Sequence, residues 1–194
     1  MTLLRADDAT LIALLEAGGV IACPTETLVG LLADARNEAA VMRVCTLKGR
    51  AIDQPIGVLL PDVAALASVT DRVTELARTL AARHWPGPLT LVLPVRPGLP
   101  SALSKHGKIG VRVPGASPAL TLVRSFGRAL TATSANKTGE PAARTSSEAL
   151  LAFPHGVDGF VEGEAPGGLA STIVDVSGSE PIILREGAIA RAAL

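Results

Sequence analysis

The 194-residue chain reads as a single α/β domain, residues 1–194, built on a twisted, mixed, open sheet with flanking helices and a concave cleft. Three observations predict this. Short apolar runs alternate with capped, helix-period segments along the whole length, as in packed strand–helix layers. The composition is 48% hydrophobic but only 2% aromatic, with no Tyr, so the core is aliphatic. The last third carries a run of strands, which argues against a purely parallel sheet.

Each element has its own local reason. Asp7 or Asp8 can cap a helix running to Ala17, where Gly18 and Gly19 stop it. Val20 to Cys23 is a short buried strand ended by Pro24. Asn37 caps a helix from Glu38 to about Leu47, with Val41, Val44 and Cys45 on one face. Ile56 to Leu60 is a strand, Asp62 starts a helical stretch, and Thr70 or Asp71 caps another helix to about Arg83. The segment Trp85-Pro86-Gly87-Pro88 is a rigid turn, and Leu89 to Val95 a β-type run. Residues 97–107 read as a loop. Ile109 to Val113 is a strand ended by Pro114. Ser117 followed by Pro118 starts a helix that ends near Gly127. A strand over 129–132 leads into Thr133-Ser134-Ala135-Asn136, and Thr145 or Ser146 opens a helix towards Phe153. Strands over 159–162, 172–176 and 182–184 finish the chain.

Formal net charge is zero, with 18 basic and 18 acidic residues, which argues against a dedicated nucleic-acid binder. The distribution is uneven. Between Ser101 and Ser147, Lys105, Lys108, Arg112, Arg124, Arg128, Lys137 and Arg144 face a lone acid, Glu140. Such a stretch is either a solvated face or an attractant for a polyanion such as ATP or RNA. Cys23 and Cys45 lie in apolar runs and read as buried thiols, neither a disulfide framework nor a zinc site. The first residues lack a signal-peptide core and no apolar run is long enough to span a bilayer, so a soluble, cytoplasmic protein is expected.

Function is carried by polar clusters that punctuate the aliphatic sequence: Pro24-Thr25-Glu26-Thr27, Lys48-Gly49-Arg50, Ser134-Ala135-Asn136 and Ser171-Thr172-Ile173-Val174-Asp175. Singly, each has a structural explanation. Threonines satisfy turns, cations suit helix C-termini, and Arg112 can pair with Glu26 or Asp175. Sites in open α/β sheets form where strands end, so together the clusters suit a substrate carrying phosphates and a carboxylate. No Walker-type glycine loop is present. His84, His106 and His155 lie in no arrangement with a nucleophile.

In this order, and with Leu28-Val29-Gly30-Leu31, Trp85-Pro86-Gly87-Pro88-Leu89-Thr90, Val111-Arg112-Val113-Pro114 and Leu184-Arg185-Glu186-Gly187, the chain resembles the YrdC-like threonylcarbamoyl-AMP synthase family in its short form, from Gly18 to Gly187. The resemblance implies a nucleotidyltransferase. It would join L-threonine, bicarbonate or CO2, and ATP into threonylcarbamoyl-adenylate and pyrophosphate, with Mg²⁺ entering on the nucleotide and no dedicated protein metal site. The product would serve a separate tRNA threonylcarbamoyl transferase complex acting at adenosine 37, with direct contact to tRNA left open and no membrane involved. It further implies roles for individual side chains: Lys48 and Arg50 in catalysis; Lys48, Arg50, Ser134, Asn136 and Arg185 on the nucleotide; Thr25, Arg112 and Ser171 on threonine.

The chain departs from the family pattern at Val29, commonly Tyr; Ala51, usually Pro; Leu59, often His; and Glu186, commonly Pro. Two alternatives stand beside the synthase. One is a non-catalytic RNA-binding paralogue using the basic 101–147 stretch. The other is carbamoyl-adenylate chemistry on another acceptor.

Overall fold

The computed structural model describes residues 2–49 and 54–194. Among the described residues, five α-helices form where a side chain can accept the orphan N–H groups of a first turn. Asp8 caps α1 (Ala9–Glu16), Asn37 caps α2 (Glu38–Lys48), and Ser117 caps α4 (Pro118–Phe126), which carries Pro at its first position. Thr145 caps α5 (Ser146–Ala152). Gly49 and Gly127 end α2 and α4 at φ values of 57° and 71°, a left-handed conformation that glycine adopts without a Cβ penalty. α3 (Glu75–His84) is capped by Thr74, not by the expected Thr70 or Asp71. The Thr70 hydroxyl is already used, accepting from the Arg72 N–H at 3.2 Å in a local turn, so the helix starts a turn later. The stretch after Asp62 is a 3₁₀ turn, Ala64–Ser68.

Among the described residues, ten strands make one mixed sheet: β1 (Ile21–Pro24), β2 (Val29–Leu32), β3 (Gly57–Leu59), β4 (Leu89–Pro94), β5 (Ser104–Lys105), β6 (Lys108–Arg112), β7 (Leu130–Ser134), β8 (Gly159–Phe160), β9 (Thr172–Asp175) and β10 (Ile182–Arg185). The order is β10-β9-β4-β6-β3-β7-β2-β1-β8, with β5 hairpinned onto β6. The pairs β3/β6, β4/β9 and β1/β8 are parallel and the rest antiparallel. Two strands depart from the sequence expectation. β2 lies in a stretch for which no element was read, because Gly30 and the threonines before it mask a four-residue apolar strand. β5 and a 3₁₀ turn (Ser101–Leu103) occupy the expected loop.

Strand alternation separates two faces. On β4, Leu89, Leu91 and Leu93 are fully buried while Thr90, Val92 and Pro94 are half-buried. Each of those leucines contributes about 2 kcal/mol by leaving water. Ile109 and Val111 of β6 and Val174 of β9 share that buried face. The opposite face carries the cavity. Trp85 packs beneath the turn it belongs to and donates its indole N–H to the Leu89 carbonyl at 2.6 Å. Among the described residues, no helix is long and apolar enough to cross a membrane. Cys23 and Cys45 are buried thiols.

Candidate active site

Strand register builds the cavity in rows. Leu130, Leu59 and Arg112 stand side by side on β7, β3 and β6. Leu91 pairs with Val111, which brings Thr90 alongside Arg112, and Thr90 pairs with Ile173, itself opposite Arg185. Two residues along the strands lies a second row: Ala132 opposite Gly57, and Gly110 opposite Val92, which pairs with Asp175. Small residues keep this row low. A Cβ on Gly110 would meet Thr90 Cγ2 at 3.3 Å and the Gly57 Cα at 3.9 Å. Two residues further along their strands stand Lys108 on β6 and Ser134 on β7, and Pro55 lines the hollow with them. Lys108 and Arg112 lie about 13 Å apart along their shared strand. The resulting hollow has a volume of about 610 Å³ and includes Thr25, Thr27 and Leu28 from the β1–β2 turn and Ala170 and Ser171 ahead of β9.

Arg112 is the buried cation of this hollow, 7% exposed. Its Nη1 lies 3.0 Å from Glu26 Oε1 and 3.5 Å from the Thr27 hydroxyl. Burial pulls its pKa below the usual arginine value, Glu26 pulls it back up, and the nearby Arg185 pushes it down. Glu26 packs on Gly115, where a Cβ would sit 3.0 Å from Glu26 Cγ. The ion pair is not aligned as a hydrogen bond, and neither Glu26 carboxylate oxygen accepts one. The turn holding Glu26 is braced by Thr25, whose hydroxyl donates to the Leu28 carbonyl at 2.7 Å and accepts from the Thr27 N–H at 3.1 Å.

Arg185 lies at the open edge. It donates through Nη2 to the Ser171 carbonyl at 2.8 Å and to the Ser171 hydroxyl at 3.3 Å. No carboxylate lies within ion-pair distance of it among the described residues, and partial burial lowers its pKa. Ser171 Oγ is 2.9 Å from Thr90 Oγ1. Asp175 pairs with Lys108 at 2.7 Å. Burial pushes its pKa up, but Lys108 and Ser177 outweigh that and hold it below the usual value.

The residues singled out from sequence therefore fall into three groups. Thr25, Arg112, Ser134, Ser171 and Arg185 line one cavity. Lys48 is 4% exposed and lies behind its wall; its ammonium donates to the Ser134 carbonyl at 2.5 Å and to the Asn136 carbonyl at 2.9 Å. Asn136 Oδ1 accepts from the Ser134 hydroxyl at 2.5 Å, so Lys48 and Asn136 both hold Ser134. Arg50, with Ala51, lies outside the described residues. Thr90 and His106, which the sequence reading gave no site role, also line the hollow, as do Thr27, read as part of a polar cluster, and Lys105 and Lys108, read as part of a basic stretch open to a polyanion. Alternation along β4 and β6 was the signal that assigns Thr90 and Lys108 to the face of Arg112. Of the family departures, Val29 and Leu59 are buried in the cavity lining, and Glu186 accepts the Arg191 N–H at 3.1 Å. Among the described residues, no three His, Cys, Asp or Glu side chains group as metal ligands.

A family model, Sua5_yciO_yrdC, described as telomere recombination, matches residues 13–187. The threonylcarbamoyl-AMP synthase of Bacillus subtilis (strain 168) is 36% identical over 182 residues, which cover 92% of this chain and 53% of that protein. The threonylcarbamoyl-AMP synthase of Idiomarina loihiensis is 39% identical over 156 residues, covering 79% of this chain and 83% of that protein. A structure of P. abyssi Sua5 complexed with L-threonine matches with a TM-score of 0.87 at 33% identity, over 92% of this chain and 53% of that one. The chain spans about half the length of the B. subtilis and P. abyssi relatives. Sequence match and shared fold together put the chain in the Sua5/YciO/YrdC family.

Proposed function

We propose that this chain, acting as one domain, makes threonylcarbamoyl-adenylate from L-threonine, bicarbonate or CO2, and ATP, releasing pyrophosphate. The observation that carries this reading is the hollow of about 610 Å³ with guanidiniums on one row and a lysine and a serine hydroxyl two rows away. A ligand with a carboxylate at one end and phosphates at the other matches that separation. The names of the B. subtilis and I. loihiensis relatives, and the threonine held by P. abyssi Sua5, support it independently.

The chain's own groups have defined tasks in this scheme. Arg112, with Thr25 and Ser171 beside it, holds the threonine carboxylate; a planar guanidinium offers it two parallel donors. The amine takes up CO2, and a carbamate oxygen attacks the α-phosphorus as the bond to the β-phosphate breaks. Charge collects on phosphate oxygens, so positioning and electrostatic stabilisation supply the catalysis. Arg185 and Ser134 contact the nucleotide, Lys48 and Asn136 hold Ser134 in place from behind, and Arg50 completes the phosphate surroundings. Mg²⁺ arrives bound through phosphate oxygens. The product passes to a transferase complex that modifies adenosine 37 of tRNA, and the work is done in the cytoplasm.

Incubating the protein with ATP, bicarbonate and threonine tests the reading. Pyrophosphate and the adenylate form together, and both depend on threonine. Release no greater than that of a Lys48→Ala, Arg50→Ala double variant ends it. Replacing threonine by serine, or by carbamoyl phosphate, separates it from carbamoyl transfer to another acceptor.

A further inference from the structure

The β5–β6 hairpin carries two choices that its own folding does not explain. Lys105 is paired directly with Lys108, and like charges opposite one another on a hairpin are destabilising. Between them, His106 and Gly107 both take positive φ, 52° and 72°. A two-residue turn of this kind favours Asn-Gly; His takes positive φ more readily than most residues but is not the usual choice there. Asp175 compensates Lys108, but among the described residues no carboxylate lies within ion-pair distance of Lys105 or His106. All three basic side chains line the hollow. Local features that cost stability and converge on a cavity point to a ligand that compensates them.

We propose that this hairpin tip receives the β- and γ-phosphates as they leave, an exit site for pyrophosphate made by Lys105, His106 and Lys108. The inference rests on the adenylate-forming reading. Attacking and leaving oxygens lie roughly in line across the phosphorus. The nucleophile comes from an amino acid anchored at Arg112, so the leaving group moves away from that row, towards the other end of β6. Four residues along β6 from Arg112 stands Lys108, with Lys105 across the hairpin from it. Two ammoniums and an imidazole donor meet a product that carries several charges, and Asp175 leaves one of those ammoniums without an internal counter-charge.

The experiment titrates inorganic pyrophosphate into the intact protein by calorimetry. It uses a Lys105→Gln, His106→Asn variant and, as a control for charge alone, Arg78→Gln on an exposed helix face. Asn keeps the turn geometry, so the double variant melts no lower than the parent. The expected result is a pyrophosphate Kd raised about tenfold or more in the double variant and unchanged in Arg78→Gln. Equal weakening in both variants, no change in either, or no pyrophosphate binding by the parent at millimolar concentration overturns the proposal. So does a variant that loses single-stranded RNA binding while keeping its pyrophosphate affinity. The outcome is separable from the synthase assay, because pyrophosphate binding needs neither threonine nor turnover. A hairpin-dependent site in a protein that releases no pyrophosphate from ATP would leave the anion site standing and remove the synthase.

Discussion

At the scale of single residues, Arg112 joins what the sequence made legible to what it hid. The resemblance carried by Val111-Arg112-Val113-Pro114 marked it as a candidate; its place in an apolar strand left an ion pair with Glu26 or Asp175 open, and the fold selects Glu26 at 3.0 Å. The reason is topological. The β1–β2 turn brings Glu26 to Gly115 just beyond β6, whereas Asp175 is taken by Lys108. No spacing in the sequence reveals that choice, since it depends on how the turn meets the sheet. Arg112→Lys keeps the charge but loses the planar fork. We expect the KM for threonine to rise about tenfold with kcat changed far less, because the missing donor serves ground-state binding as much as the transition state. Arg112→Ala is the harsher change; it strands a buried carboxylate and costs about 3 kcal/mol of stability, visible as a lowered Tm. Steady-state kinetics with threonine varied at saturating ATP decide the matter. An unaltered threonine KM in Arg112→Lys removes Arg112 from the carboxylate.

At the scale of elements, capped helices were the legible part: Asn37, Ser117 and Thr145 each stand at the start of a helix. Short strands were less so, because four residues carry too little periodicity to outweigh a glycine or a threonine cluster. The edge strand β10 hides the most. Ile182 pairs with Asp175 and Ile183 with Val174, but the next partner of Ile173 is Arg185, not Leu184. Regular pairing would set Arg185 opposite Thr172, whose side chain faces the core. The irregularity turns it onto the cavity face, a re-aiming that β-bulges commonly perform. Thr172 anchors the segment after β10. Its hydroxyl accepts from the Gly187 and Ile189 N–H groups, both at 3.0 Å, and donates to the Ile189 carbonyl at 2.6 Å. Gly187 has no room for a Cβ, which would collide with the Ala170 carbonyl oxygen. Thr172→Val therefore leaves two backbone donors without their acceptor, costs about 1–3 kcal/mol, and loosens Arg185, so the KM for ATP rises. Thr172→Ser restores both stability and KM. If Thr172→Val lowers Tm and leaves the ATP KM untouched, Arg185 is held by something else.

At the scale of the whole molecule, the basic 101–147 stretch shows how far linear charge is from surface charge. Folding sends Lys105, Lys108 and Arg112 to the cavity, Arg124 to the Pro61 carbonyl, Arg128 to Asp34 and the face of Phe126, and Arg144 to the Pro166 carbonyl. A run that read as one possible polyanion face becomes a lined hollow plus separate structural contacts. The mixed sheet was foreseeable from its strand-rich end, but the low row across it was not. Gly57 and Gly110 lie far apart in sequence and become neighbours only through the parallel pairing of β3 with β6. That row gives the hollow its depth, and it offers a test in which fold and function part company. A Cβ on Gly110 meets only Thr90 Cγ2 closely, at 3.3 Å, on the open side of the sheet. Gly110→Val therefore adds a β-branched side chain where strands favour one, and the sheet tolerates it. The added methyls stand in the hollow midway along β6 between Lys108 and Arg112, where a ligand spanning the two must pass. Circular dichroism and Tm close to the parent, together with threonine and ATP affinities each weakened more than tenfold, are expected. Full activity in Gly110→Val would mean that the ligand does not cross this row, and the end-to-end placement of carboxylate and phosphates would fall with it.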